Sequence, residues 1–277
     1  MEDDVLVIVG LWTTANVARI HRISGRLDEA ERLLLEAIST AESRLAPDRP
    51  ELPGLLNDLA VVYKYAARFD EAEALYRRAL ALVEETRGPD DLEAATIWHN
   101  LGGIEHSRER HAEGEPYARR SVEIREAALG PNHPAVAADV AALAALVQGQ
   151  GRLDEAEELY RRAIGIFETV LGPDHHDLAV NCNNLGALEA ARGNSEEAEE
   201  LYERALRIKE ALLGPDHPDV AMTVHNLAVL RTVQQRKDEA DALYRRALRI
   251  FETSLGAEHP RTRTCRIELE RLAKPAD

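Results

Sequence analysis

The sequence predicts an all-α fold, an α-solenoid of antiparallel helix pairs stacked one on the next. Three observations predict it. Gly-Pro recurs at 88–89, 130–131, 172–173 and 214–215, each 42 residues after the last, and the series extends to Ala46-Pro47 and Gly256-Ala257. An unbroken period of that length marks one supersecondary unit repeated along the chain. Set out in rows of 42, the chain shows three columns of small residues: Ala18, Ala60, Gly102, Ala144, Gly186, Ala228; Ala30, Ala72, Gly114, Ala156, Ala198, Ala240; and Ala37, Ala79, Ser121, Ala163, Ala205, Ala247. Small side chains at fixed sites let helix axes approach closely. Each row also carries two apolar patterns of helical period. With 45% apolar but only 4% aromatic residues, the core is built from Ala and Leu.

The elements follow in order. The start, Met1 to Asp4, is acidic, unlike the basic start of a secretory signal. The apolar run Val5 to Trp12 is too short to span a membrane and reads as a first buried helix or a residual strand. Turns such as Ser24-Gly25-Arg26, Gln150-Gly151-Arg152 and Arg192-Gly193-Asn194 separate the two helices of a row. Asp28, Asp70, Asp154 and Asp238 then open the second helix, where an acid caps free amides or favours the helix dipole. At the Gly-Pro mark, glycine supplies a left-handed residue and proline prevents continuation. Pro50, Pro134, Pro218 and Pro260 suit the first turn of the next helix. Tyr76, Tyr160, Tyr202 and Tyr244, with Leu34 in the first row and Ala118 in the third, plug the space between rows. The rows span 1–46, 47–88, 89–130 (atypical), 131–172, 173–214 and 215–256. Residues 257–277 form a capping helix and tail, with the helix near His259 to Leu272, polar on one side and shielding the last interface. The first helix has no clear predecessor, so the chain reads as a possible piece of a longer protein.

The stretch from Leu201 to Ala240, with LYERALRIKEALLGPDHPDVAMTVHNLAVL inside it, resembles the tetratricopeptide repeat, in the 42-residue subtype of kinesin light chains that many bacterial proteins share. The resemblance spans about residues 10–272 and implies a right-handed solenoid whose concave wall is made by the first helix of each row. It also implies a binding role. Positions where the family usually has an aromatic in that helix hold Glu105, Val147, Glu189 and Arg231.

On that wall, the residue two places before the first small column points into the groove: Asn16, Asp58, Asn100, Ala142, Asn184, Asn226. An asparagine amide can both donate to and accept from one peptide unit of an extended ligand. The resemblance implies that groove asparagines contact bound peptides, which carries to Asn16, Asn100, Asn184 and Asn226. The alternative is a set of hydrated asparagines retained for helix–helix hydrogen bonds. Further groove positions are Trp12, Arg19, Arg22, Asn57, Lys64, Tyr65, His99, His106, Gln148, Asn183 and His225. Three cations (Arg19, Arg22, Lys64) against one anion (Asp58) give the groove a charge of +2 in a chain of −16. An acidic exterior around such a groove focuses an acidic or carboxylate-bearing segment inward. The rear wall is smooth, with Ala138, Ala141, Ala145, Ala187, Ala190 and Ala191.

Row three departs from the rest. Pro116 sits inside its second helix, which predicts a start near Gly114 or Glu115; Tyr117 is one place early; Gly102 and Gly103 adjoin; His99 and His106 lie two turns apart. The row reads as a drifted repeat or as a hinge or ligand site. A zinc shared by His99, His106 and His225 lacks a third ligand on the same helix, and His133, His175, His217 and His259 belong to the turn pattern.

Net charge of −16 disfavours DNA and anionic membrane. Cys182 and Cys265 form no disulfide framework, which suits a reducing cytoplasm. No phosphate loop, zinc-protease pair or serine elbow is present, and no cofactor is implied. The reading is a non-enzymatic interaction module binding a peptide or partner protein in its groove. The alternatives are a scaffold self-associating through the array ends, with Val5 to Trp12 as the sticky end, the sensor arm of a larger bacterial signalling protein, and an enzyme using the row-three histidines.

Overall fold

The computed structural model describes residues 2–45 and 51–273. Ala46-Pro47 and Pro50 lie outside them. The described residues form thirteen α-helices. Six antiparallel pairs are α1 (Glu2–Ile23) with α2 (Leu27–Arg44), α3 (Glu51–Tyr65) with α4 (Phe69–Arg87), α5 (Leu92–Ser107) with α6 (His111–Leu129), α7 (Pro134–Gly149) with α8 (Leu153–Leu171), α9 (His176–Arg192) with α10 (Ser195–Leu213), and α11 (Pro218–Val233) with α12 (Lys237–Leu255). A single helix, α13 (Pro260–Leu272), follows. The chain divides into two compact units, Met1–Pro131 and Asn132–Asp277. The first holds three pairs. The second holds three pairs and α13.

Every position of the three small columns is buried. Where a pair closes most tightly, even alanine is too large. A Cβ on Gly186 would lie 3.0 Å from the Tyr202 ring, and one on Gly102 would press on the α6 backbone, 3.4 Å from the Gly114 carbonyl oxygen. The plug column, Leu34, Tyr76, Ala118, Tyr160, Tyr202 and Tyr244, is buried throughout. Between rows, Leu227 and Leu230 of α11 pack on Ala198 and Tyr202 of α10.

The helix ends follow the period with local variations. The prolines Pro134, Pro218 and Pro260 stand in the first turns of α7, α11 and α13. Asp91, His133, His175, His217 and His259, one column, cap their helices by accepting the backbone N–H two residues on. Asp28, Asp70, Asp154 and Asp238 stand in the first turns of the second helices, where they favour the helix dipole rather than cap. Arg26, Arg68, Arg110, Arg152, Asn194 and Arg236 occupy the N-cap sites without a side-chain cap bond. Asp70 and Asp154 instead receive arginines of the following row, Arg108 and Arg192. The Gly-Pro glycines do have positive φ, 84° to 94°, but their ψ of 155° to 169° is extended rather than left-handed helical. That region belongs essentially to glycine, and the backbone alone imposes it, since a Cβ at each would meet nothing within 4 Å. The left-handed conformation falls in the turn between the two helices of a row. There Gly25, Gly151 and Gly193 alternate with Ala67, Glu109 and Gln235, all at positive φ.

Second helices are knitted to neighbouring rows by ions. Glu31, Glu73, Glu157 and Glu199 share one column, and each receives an arginine of the next row: Arg68, Arg108, Arg192 and Arg231. Three of the four aromatic-column substitutes, Glu105, Glu189 and Arg231, join these clusters, while Val147 is buried in the apolar core. Glu105 accepts from Arg108 at 2.8 Å, and Glu189 accepts from Asn194 at 2.6 Å. On the outer faces Glu42–Arg78, Glu168–Arg204 and Glu210–Arg246 repeat the pairing at 2.5 to 2.6 Å. Many carboxylates of the acidic second helices are therefore bridged. Cys182 and Cys265 are buried thiols whose ionisation burial pushes up.

Row three differs from expectation at one point. Its second helix starts at His111, not near Gly114 or Glu115, and carries Pro116 inside. Pro116 is exposed, and its missing N–H costs only the bond to Ala112 next to the helix end. Tyr117 stacks on Trp98 with ring centroids 5.5 Å apart and meets Arg77 through its hydroxyl.

Replacing Gly172 by alanine forces a side chain into the extended positive-φ region and is expected to cost about 1–3 kcal/mol. Replacing Gly165, mid-helix in open space, is expected to gain about 0.5–1 kcal/mol. Urea titration of both variants checks the pair. Stability also depends on Glu199. The hydrogen bond from Arg231 holds its carboxyl at about 2, against an ordinary 4.5. A depressed carboxylate stabilises the fold above the unfolded value, and that contribution disappears as pH falls from 4.5 toward 2. Glu199→Gln is expected to flatten this part of the stability–pH curve, read by urea midpoints at each pH.

Candidate functional site

The first helices carry the sequence-predicted residues, and each unit gathers its own set. In the first unit a cleft of roughly 280 Å³ lies between α1 and α3, lined by Trp12, Asn16, Arg19, Asn57 and Asp58 among others. Arg19 faces Asp58 at 3.8 Å. Burial raises the Asp58 carboxyl, and the charges of Arg19 and Arg22 oppose that rise. One of the three predicted cations is thus matched to the one predicted anion.

A second cleft, of roughly 550 Å³, is lined by Arg22, Val61, Lys64, Tyr65, Phe69, Tyr76, Asn100 and Ser107. It holds two cations and no carboxylate. Arg22 lies over the Tyr65 ring, 5.2 Å from its centroid. The Lys64 ammonium rests against Gly103, 2.6 Å from where a Cβ would sit. The second glycine of the Gly102-Gly103 pair therefore makes room for a lysine of the neighbouring row. Burial lowers the Lys64 pKa. Tyr76 is in the wall of the same cleft, and its hydroxyl is buried with no hydrogen-bond partner. Asn100 donates to Asn57 at 2.8 Å, which leaves one amide hydrogen and a carbonyl oxygen for another group.

His106 packs edge to face on His111, at 5.3 Å between centroids, rather than pairing with a metal set. Burial and the His111 and Lys64 charges lower its pKa. His99 is half-buried on α5. Among the described residues no three His, Cys, Asp or Glu side chains converge as a metal site.

In the second unit Asn226 donates to Asn183 at 3.1 Å, the counterpart of the Asn100–Asn57 bond. Asn183 is buried and Asn184 half-buried. His225 Nε2 lies 2.7 Å from Glu268 Oε2 of α13, and Gln148 accepts from the Tyr160 hydroxyl at 3.2 Å.

The stacking of like pairs, with the small columns buried at every crossing, agrees with a family model described as tetratricopeptide repeat, which matches residues 11–85, 93–169, 137–211 and 180–253. The chain belongs to the tetratricopeptide repeat family. Its repeats have a 42-residue period. BtubC (BKLC) from P. vanneervenii is similar at 25% identity and a TM-score of 0.64, over 90% of this chain and 94% of that one. MamA (41-end) from Desulfovibrio magneticus RS-1 shares the fold at 14% identity and a TM-score of 0.50, over 73% of this chain and 97% of that one. A Podosopora anserina protein with nearly identical TPR-like repeats, described as a kinesin light chain, aligns at 20% identity and a TM-score of 0.43, over 90% and 97%. No curated protein matches. Tetratricopeptide repeat folds typically serve as protein-interaction modules.

The asparagines bond to one another at a separation of 43 residues, the helix–helix hydrogen bonds that were the alternative to ligand contact. Sequence reasoning missed two features of these tetratricopeptide rows. Tyr76, placed among the plugs, also lines a cleft and leaves a buried hydroxyl without a partner. The arginine–glutamate clusters were available as the column Glu31, Glu73, Glu157, Glu199.

Tyr76→Phe removes a buried hydroxyl that lacks a partner and is expected to raise stability by about 1 kcal/mol, whereas Tyr160→Phe, which strips Gln148 of its donor, is expected to lower it by a similar amount. Urea midpoints at unchanged slope check both.

Proposed function

We propose that this tetratricopeptide repeat protein is a non-enzymatic module that binds a peptide or partner-protein segment along its first-helix wall, and that the first unit prefers an acidic or carboxylate-bearing stretch. The observation that carries the reading is the second cleft of that unit: Arg22 and Lys64 line it with no carboxylate, beside Tyr76, whose buried hydroxyl has no partner. A carboxylate there would receive charge-assisted hydrogen bonds in a partly dry setting, where such bonds are strong. Trp12 and Tyr65 are 62% and 66% exposed and offer apolar contact on either side. The amides of Asn16 and Asn184, and the groups of Asn100 and Asn226 not used in their bonds to Asn57 and Asn183, would hold ligand backbone. His99, His106 and His225 are assigned to the walls of the site and not to catalysis.

The cytoplasm is the proposed setting, supported by two buried unpaired thiols. No helix among the described residues is long and apolar enough to cross a membrane. Membrane and nucleic acid are not proposed as partners. The alternative role as sensor arm of a larger signalling protein uses the same cleft and differs in what is attached to it.

Fluorescence anisotropy with a labelled acidic peptide and a basic peptide of matched length tests the reading. The acidic peptide is expected to bind more tightly, with an affinity that falls as salt rises. Lys64→Met and Arg22→Met are each expected to weaken it about tenfold, or 1.4 kcal/mol. Preference for the basic peptide, or acidic-peptide binding untouched by both variants, overturns it.

A further inference from the structure

One column of the first helices carries basic side chains in the first unit and neutral ones in the second. Arg22, Lys64 and His106 lie 42 residues apart, each one place before the end of its helix, in α1, α3 and α5. The next members are Gln148, Ala190 and Thr232. A cation in the last turn of a helix suits the dipole, but the neutral members show that the fold does not require one here. Arg22 and Lys64, from neighbouring rows, line one cleft of roughly 550 Å³. The Lys64 charge bears on His106, whose pKa is lowered by burial, by His111 and by Lys64. His106 is therefore uncharged near pH 7.

Among the described residues neither Arg22 nor Lys64 forms an ion pair. Burial lowers the Lys64 pKa with no carboxylate opposing it. Arg22 lies over the Tyr65 ring, and the carboxylate that feels its charge, Asp58, is already faced by Arg19 at 3.8 Å. Setting Arg19 against Asp58 leaves two positive charges, both in the walls of this cleft. Two further donors stand beside them. The Tyr76 hydroxyl is buried without a partner. Burial raises its ionisation, the Asp58 charge adds to the rise and the Arg22 charge opposes it, so the hydroxyl lies in the field of that guanidinium. Asn100 keeps one amide hydrogen after its bond to Asn57.

We propose that this cleft takes a phosphorylated side chain of the bound segment, with the phosphate between Arg22 and Lys64 and with Tyr76 and Asn100 as further donors. The inference rests on the acidic-segment reading of the same cleft and narrows its ligand. One carboxylate would neutralise one cation and leave the other half-buried without a counter-charge, which is costly. A phosphomonoester brings nearly two negative charges at pH 7 and three acceptor oxygens. Its charge matches that of the pair, and guanidinium, ammonium, phenol and amide offer donors to every oxygen. No carboxylate lines the cleft to repel it. Gly103 keeps the lysine in place: Lys64 Nζ lies 2.6 Å from where a Cβ would sit, so any side chain there would displace the ammonium.

Titration calorimetry of the full chain with four peptides, alike except at the tested site, checks the proposal. The site holds serine, glutamate, two consecutive glutamates or phosphoserine. The phosphoserine peptide is expected to bind about tenfold tighter than the single-glutamate peptide, with the serine peptide weakest. Inorganic phosphate is expected to displace it only far above the peptide's own Kd, because the flanking segment adds its own contacts. Arg22→Met and Lys64→Met change partly exposed positions and are expected to keep the helical circular dichroism. Each is expected to bring the phosphoserine peptide down to the affinity of the wild-type protein for the glutamate peptide. Tyr76→Phe is expected to weaken the phosphoserine peptide about fivefold. Equal affinity for phosphoserine and glutamate, both above serine, overturns the phosphate and leaves the acidic-segment reading standing. Two glutamates that match phosphoserine do the same, since net charge then suffices. Four peptides of equal affinity overturn both readings. Inorganic phosphate that binds as tightly as the phosphopeptide makes free phosphate the ligand and overturns the proposal. So does phosphopeptide binding unchanged by the two cation variants or by Tyr76→Phe.

Discussion

Everything in this molecule depends on how closely the two helices of a row can approach. That distance is set by side chains of one carbon or none at three recurring sites. Where Gly186 lies against the Tyr202 ring, and Gly102 against the α6 backbone, no spare space remains. Because the approach is the same in each row, the tyrosine plugs fall in the same gap each time, and the first helices present the same edge. The wall that carries the candidate site is a consequence of this packing, and so is the column in which its asparagines stand.

A close-packed apolar seam does not by itself hold so acidic a chain together. Fifty acidic residues face thirty-four basic ones, and the second helices would repel one another if their carboxylates stood free. They are instead bridged row to row, inside by the Glu31, Glu73, Glu157 and Glu199 column and outside by the Glu42, Glu168 and Glu210 column. Exposed pairs of this kind contribute little singly, about 0–1 kcal/mol. The inner clusters count for more, since they include Glu105, Glu189 and Arg231, all nearly buried. These stand where the family usually has an aromatic, so the substitution exchanges apolar packing for paired charge. With the arginines of both units so committed, Arg22 and Lys64 stand out in a cleft that no carboxylate lines.

The candidate site was legible in part. Its helix, its face and its residue types follow from period alone: Asn16, Asn100 and Asn226 are two places before a small residue, and that geometry is fixed by 100° per residue. The partners of those residues were not legible. Asn100 meets Asn57, and Lys64 meets Gly103, across neighbouring rows, at offsets that depend on how far one pair is displaced against the next. The same displacement explains row three. Its adjacent glycines look like lost helix propensity in the sequence, whereas one admits α6 and the other admits a lysine. Its proline, which seemed to bar an early helix start, stands near enough to the helix end to cost one hydrogen bond.

The sequence by itself determined the fold: helix pairs, their number and the face that each buries, because these are local consequences of period, glycine and proline. Only the tertiary structure decided which charges are neutralised, which hydroxyl lacks a partner and which apolar side chains stay exposed. Those properties depend on residues some forty positions apart in the chain. Val17 and Ile20 lie in columns that other rows bury, yet they are 39% and 59% exposed. A period can say where a side chain points, but what it meets depends on the distance and offset between neighbouring helices.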